Sequence, residues 1–188
     1  MDDEIGAGFR LLYEDHADRV LAYALRRVPE EDAADVVSET FLTAWRRADD
    51  IPTDPLPWLF GVARRTVANR RRSLRRRAAL RERVEGEASR GPRLAPDPAD
   101  QVELRMAVSA ALGRLSGRDR EALMLVAWDG LDAERAAAAV GSTPAAFVVR
   151  LHRARRRLAR ELAKEFSGAG HVPGEGTTRP TQVSEEAT

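Results

Sequence analysis

From residue 9 to residue 166 the apolar positions recur three and four residues apart, the spacing that gives a helix one buried stripe. Phe9–Val28 carries Leu12, Val20, Tyr23, Ala24 and Val28 at that spacing, and Pro29 ends it. Glu30–Ala48 opens with acids, which the helix dipole favours in a first turn. Its expected buried side is Ala33, Val36, Val37, Thr40, Phe41 and Ala44, which leaves Asp35, Glu39, Leu42 and Arg46 pointing outward together. Asp49–Pro57 has three prolines in nine residues and reads as a loop. A third helix, Trp58–Arg83, buries Leu59, Val62, Ala63, Thr66 and Val67 and turns Arg64, Arg65, Arg71, Arg72, Arg75 and Arg76 to the other side. Its apolar stripe thins after Val67, where Arg70 and Arg77 occupy apolar positions.

Residues 84–100 contain Gly, Ser and three prolines without apolar periodicity, the composition of a flexible linker. Helical spacing resumes over Gln101–Leu115. Ser116-x-x-Asp119 resembles a capping box opening a helix through Trp128, and Asp129-Gly130 breaks it. Asp132 is placed to cap a short helix, Ala133–Val140. Gly141-Ser142 turns, and Thr143-Pro144 supplies an N-cap and a first-position proline for a last helix to about Phe166, with Phe147, Leu151, Ala154, Leu158 and Leu162 inward. Short helix, glycine-containing turn and long basic helix is the helix-turn-helix order. Residues 167–188 have the composition of a disordered tail. The expected fold is all-α: two small helical domains, 8–83 and 101–166, joined by a flexible linker, the second a helix-turn-helix domain.

Charge sharpens this picture. The formal net charge of +1 conceals strong segregation. Residues 1–60 carry 14 acids and six arginines, residues 61–83 ten arginines and one Glu, and residues 149–166 seven basic and two acidic side chains. A helix so poor in acids at i, i+4 spacing repels itself unless a polyanion is present, so two separate contacts with nucleic acid are expected. On the last helix Arg150 and Arg153 are placed to reach bases or phosphates, and Arg155, Arg156, Arg157 and Arg160 suit the phosphate backbone. Trp58 and Phe60, beside the first basic helix, are candidates to stack an unpaired base; the alternative is that Trp58 plugs the core. Leu42 among charges marks either an ordinary exposed leucine or a protein-docking face.

The exclusions are firm. With no cysteine there is neither a disulfide nor a cysteine zinc site, and the three histidines are far apart, so no metal or cofactor is expected. Asp32, Asp35 and Glu39 lack the further ligands that would close a metal shell. There is no glycine-rich phosphate loop and no nucleophile–base pair, hence no enzyme. No apolar run approaches the about 20 residues that span a bilayer, and the acidic start MDDEIGAG is unlike a signal peptide; a cytoplasmic protein without membrane insertion is expected.

DAADVVSETFLTAWRRA (Asp32–Ala48) and PWLFGVARRTVANRRRSLRRR (Pro57–Arg77) resemble region two of the extracytoplasmic-function sigma factors, a subgroup of the sigma-70 family. LGRLSGRDREALMLVAWDGLDAERAAAAVGSTPAAFVVRLHRARRRLAREL (Leu112–Leu162) is similar to their region four. The resemblance implies a subunit that binds core RNA polymerase, on the clamp of the largest subunit and the flap of the second largest, and directs promoter recognition and transcription initiation. On it, Asp35, Ser38, Glu39, Leu42 and Arg46 would bind the polymerase. Asp54, Trp58, Phe60, Arg64, Arg65, Asn69, Arg71, Arg72, Arg75 and Arg76 would recognise and melt the −10 promoter element. Thr143, Ala145, Ala146, Phe147, Arg150, Arg153, Arg156 and Arg157 would read the −35 element. An anti-sigma factor is a further partner the resemblance admits.

The chain departs from the family pattern at several positions. Val148 and Val149 stand where a polar residue or Lys is frequent, and valines touch thymine methyls but cannot hydrogen-bond base edges. Ala136 and Ala139 replace bulkier aliphatics, which makes that contact either closer or looser. Ser38 and Arg65 replace common Gln and Asn. A stand-alone helix-turn-helix transcription regulator is the alternative reading, and it has no need of the helix 30–48 beside a melting segment; an RNA-binding adaptor is a third, to which a preference for single-stranded RNA over promoter DNA would point.

Overall fold

The computed structural model describes the backbone of residues 2–85 and 99–168, so the linker at 86–98 and the tail from 169 lie outside the described residues. Among the described residues there are seven α-helices: α1 Asp2–Leu25, α2 Glu30–Arg46, α3 Pro55–Glu85, α4 Ala99–Arg114, α5 Gly117–Ala127, α6 Ala133–Val140 and α7 Pro144–Gly168. The first half is a three-helix unit in which α1, α2 and α3 pack pairwise. In the second, α7 lies against α4, α5 and α6.

The buried face of α2 is Ala33, Val36, Val37, Thr40, Phe41 and Ala44, as its periodicity predicts. The Thr40 hydroxyl donates to the Val36 carbonyl at 2.6 Å, which satisfies the one polar group on that face. Three side-chain caps fall where the sequence puts them. Ser116 Oγ accepts from Asp119 N at 3.2 Å, Asp132 Oδ1 from Arg135 N at 2.8 Å, and Thr143 Oγ1 from Ala146 N at 3.3 Å. Gly141 closes α6 with φ +66°, a left-handed conformation that suits glycine.

The proline loop is shorter than expected. Ala48–Asp50 forms a 3-10 turn, and α3 starts at Pro55, ahead of Trp58. Pro55 and Pro57 open the helix rather than block it, because the first-turn N–H they lack has no intrahelical partner anyway. Asp54 sits just before, its carboxylate accepting from the Leu56 backbone N–H.

Phe60 is the main revision, and Phe147 keeps the inward place its periodicity predicts rather than the DNA contact the resemblance implies. Phe60 is 1% exposed and stacks on Tyr23 with ring centroids 4.9 Å apart; Phe147 is fully buried between the helix-turn-helix elements. Both faces are core, so neither ring stacks a base or touches a groove in this structure; each fixes the helix that bears the arginines. Trp58 is half-buried against the core, with the Arg47 guanidinium 6.0 Å above its ring.

The two halves are not separate bodies on a string. Their buried residues form one connected core, with α6 lying against α3. Gly61 makes the approach possible: a Cβ there would sit 3.2 Å from the Ala139 carbonyl oxygen. The small Ala136 and Ala139, both buried, therefore pack closer, not looser. Phe60→Ala is expected to destabilise the protein by about 3–5 kcal/mol, the usual cost of emptying a buried phenylalanine site, read by chemical denaturation.

Candidate nucleic-acid and polymerase interface

Helix α3 divides into three faces at about 100° per residue. Its core face holds Leu59, Ala63, Thr66 and Val67. Gly61, Arg64, Ala68 and Arg71 form a second stripe along the junction with the second half. Arg65, Asn69, Arg72 and Arg76 form a third, open to solvent and in line with half-buried Trp58. Arg72 donates to the Asn69 side chain, a neutral partner that leaves its charge uncompensated. Arg75 lies in the helix, but its side chain is outside the described residues. The helix is thus fixed on one side and presents a cationic stripe ending at an aromatic ring on another, the parts of a single-strand binding groove.

Arg70, at a position where apolar residues run out, belongs to none of these. Its Nε donates to Asp32 Oδ1 at 2.8 Å, and its guanidinium also pairs with Asp35 and lies 3.9 Å from Glu39. Hydrogen bonding to Asp32 and Asp35 holds the Arg70 pKa above its ordinary value. Asp35 is consequently tied to α3 while still exposed, and Ser38, Glu39, Leu42 and Arg46 are exposed beside it. Trp45 stands one turn from Leu42, each 48% exposed, and Phe9 meets Trp45 edge-on at 5.0 Å. Charge patterning found this face through Leu42 but missed Trp45.

On α7, Phe147, Leu151 and Ala154 are buried. Ala145, Ala146, Val149, Arg153, Arg156 and Arg160 share the exposed side, and Val148 is also exposed. Arg153, Arg156, Arg157 and Arg160 line a shallow concavity of about 470 Å³. Arg157 is not free for phosphate: it pairs with Asp119, whose carboxylate is nearly buried. Arg150 is half-buried and lines the junction between the halves.

That junction is polar at its centre. Arg27, 3% exposed, donates to Asp129 Oδ2 at 2.7 Å and to Glu121 Oε2 at 3.1 Å. Arg26 also pairs with Asp129, and Arg19 donates to the Asp129 carbonyl at 2.9 Å. The Tyr23 hydroxyl donates to Glu121 Oε1 at 2.8 Å. Burial opposes the Arg27 charge, but Tyr23, Glu121 and Asp129 outweigh it and its pKa is raised. Arg71 Nη2 donates to the Arg27 carbonyl at 2.6 Å, and burial lowers its pKa. At the rim Arg135 forks onto Asp54 with contacts of 2.7 and 2.6 Å, the bidentate form that favours guanidinium with carboxylate, and this hydrogen bonding lowers the Asp54 pKa. Three of the residues nominated for the −10 element, Asp54, Arg64 and Arg71, thus face the second half or its anchor.

Residues 12–77 match Sigma-70 region 2, and residues 105–158 match Sigma-70, region 4. The RNA polymerase sigma factor NccH of Alcaligenes xylosoxydans xylosoxydans is 34% identical over 74% of this chain and 79% of its own length. The ECF RNA polymerase sigma factor SigL of Mycobacterium tuberculosis is 31% identical over 79% and 85%.

The chain belongs to the sigma-70 family.

Within it, these relatives place the chain in the extracytoplasmic-function subgroup. The fold agrees. The structure of CnrH in complex with the cytosolic domain of CnrY superposes with a TM-score of 0.58 at 29% identity, covering 85% of this chain and 90% of that one. The sigma factor RpoE of Bartonella quintana, in complex with the anti-sigma factor NepR, gives 0.59 at 26%, covering 83% and 97%. The protein is an RNA polymerase sigma factor and directs transcription initiation. Sigma factors are DNA-binding regulators without enzymatic activity of their own. Among the described residues no three His, Asp or Glu side chains are grouped to hold a metal ion, and no helix is long and apolar enough to cross a membrane.

The junction of region 2 with region 4 was invisible to motif reading, because its partners lie about a hundred positions apart. Asp129-Gly130 reads only as a helix break in the sequence. Asp129→Asn removes a carboxylate that is 0% exposed and weakens the bond to a guanidinium that is 2% exposed. Breaking one arm of a buried pair costs about 3–5 kcal/mol. The variant should show a larger radius of gyration by small-angle X-ray scattering while its helical circular dichroism is retained.

Proposed function

We propose that this sigma factor binds the clamp of the largest polymerase subunit through Ser38, Glu39, Leu42, Trp45 and Arg46 of α2, with region 4 on the flap of the second largest subunit. Its working units are residues 8–83 and 101–166. The open stripe of α3, Trp58 with Arg65, Asn69, Arg72 and Arg76, captures the melted −10 strand. Arg75 is assigned to the same contact by its helical position. The exposed side of α7, with Thr143, Ala145, Ala146, Arg153 and Arg156, reads the −35 duplex. The single observation that carries this reading is the division of α3, which leaves one arginine stripe uncompensated beside an aromatic ring. The protein works in the cytoplasm, with the polymerase, and an anti-sigma protein is a partner of the kind seen with CnrH and RpoE.

The two elements are named for positions roughly 25 base pairs apart, about 85 Å of duplex at about 3.4 Å per pair. Helices α3 and α6 are in contact here, so one molecule reads both elements only after the junction opens. Asp54, Arg64, Arg71 and Arg150 then become available to DNA.

Size-exclusion co-elution with bacterial core polymerase at near-physiological salt tests the assignment: a 1:1 complex is expected, and a folded chain that fails to co-elute sinks it. Leu42→Asp should weaken that complex at least tenfold without altering stability. In the holoenzyme, Arg72→Ala with Arg76→Ala should leave core binding intact and reduce promoter melting. The log–log salt slope of DNA binding should fall by about 1.4, near 0.7 for each single-strand phosphate that is no longer neutralised.

A further inference from the structure

Between the halves lies a cleft of about 940 Å³. Region 2 lines it with Arg64, Arg71 and Arg72 of α3, and region 4 with Arg118 and Arg150. Glu121 is the acid on its wall, and that carboxylate is taken by Arg27 and Tyr23. No described carboxylate pairs with Arg64, Arg72, Arg118 or Arg150. Arg64 reaches only the Val140 carbonyl, at 3.5 Å, and its Nε is buried with no hydrogen-bond partner. Gly117 and Arg118 begin α5, whose first-turn N–H groups add partial positive charge on the same wall. The closed arrangement therefore gathers like charges from both halves and leaves the buried Arg64 Nε unsatisfied.

Guanidinium forks match phosphate oxygens, and a chain of linked phosphates supplies several such acceptors within a short reach. A cleft of this volume is in the range of small-ligand pockets and far too small for duplex DNA. We propose that the cleft is a binding site for an oligophosphate, either inorganic or the phosphate chain of a nucleotide, which bridges the two regions and holds the chain closed. Because the ligand binds the closed form better, it opposes opening, and DNA or polymerase that requires the open form opposes the ligand by the same factor. That regulatory consequence rests on the open form proposed above; the binding site itself does not.

Isothermal titration calorimetry of the full chain with inorganic tripolyphosphate, and separately with GTP, at near-physiological salt tests this. Saturable 1:1 binding is expected, weakened at least tenfold by Arg118→Ala, a residue not among those named above for the promoter or the clamp. Arg160→Ala removes the same charge from the far side of α7 and should change the affinity less than twofold. Asp129→Asn, which loosens the junction, should also weaken binding. Equal affinities for the two probes assign the site to the phosphate chain alone, and tighter GTP binding assigns it to a nucleotide. Absence of saturable binding, equal losses from Arg118→Ala and Arg160→Ala, or undiminished binding by Asp129→Asn would overturn the proposal. Core-polymerase co-elution of Arg118→Ala, expected to be normal, separates this failure from failure of the sigma assignment.

Discussion

Arg27 is the residue on which the arrangement turns. Its guanidinium bonds Asp129 and Glu121 of region 4, and its carbonyl receives Arg71 of α3. One position in the turn after α1 thereby joins the first helix, the basic helix and the second half of the chain. A buried ion pair is a poor source of net stability, because removing both charges from water offsets most of their attraction. It is nonetheless specific: few other placements of region 4 satisfy Arg27, Tyr23 and Glu121 together. The junction is therefore well defined in geometry without being strong, which suits a contact that forms and releases.

The arginines of α3 are sorted by what the fold places opposite them. Arg70 is neutralised from α2, Arg71 is held by a carbonyl, and Arg65 and Arg76 are left to solvent. Net charge on the helix says nothing of this, because the carboxylates that compensate it come from another element. The same holds on α7, where Arg157 is spent on Asp119 while Arg153 and Arg156 stay exposed. A basic helix is a nucleic-acid surface only along the stripe its own fold leaves unpaired.

Much of this was legible in the sequence, for local reasons. All six buried positions of α2 follow from its periodicity, and Ser116, Asp132 and Thr143 cap the helices that follow them because capping depends on a span of three residues. The sigma family itself was readable from two motifs in order. Phe60 was misassigned because an aromatic next to arginines reads the same whether it faces core or solvent; the difference is one helical step. Phe147 is inward, as its periodicity predicts, and only the DNA contact implied by the resemblance is revised. The alanines of α6 were ambiguous, and Gly61 carried no signal, for another reason. Small residues mean close packing only if something approaches, and what approaches is α6, about 78 residues away in sequence. Local patterning fixes elements and their faces, whereas the pairing of faces depends on contacts no window spans.

For the proposed −35 contact, the exposed valines of α7 bear on how that element is distinguished. Val148 and Val149 are 50% and 49% exposed, close to the helix start that a helix-turn-helix lays in the major groove. Neither donates or accepts a hydrogen bond, so the only base feature they reward is a thymine methyl. Arg153 and Arg156, further along the same side, are placed for phosphates, which position without specifying. Arg150 is the side chain near the helix start that offers a bidentate fork to guanine, and in the closed form it lines the cleft instead. On the reading proposed above, opening the junction does more than separate two domains: it releases the one arginine on α7 whose position lets it add hydrogen-bonded base recognition to the apolar contacts of its neighbours.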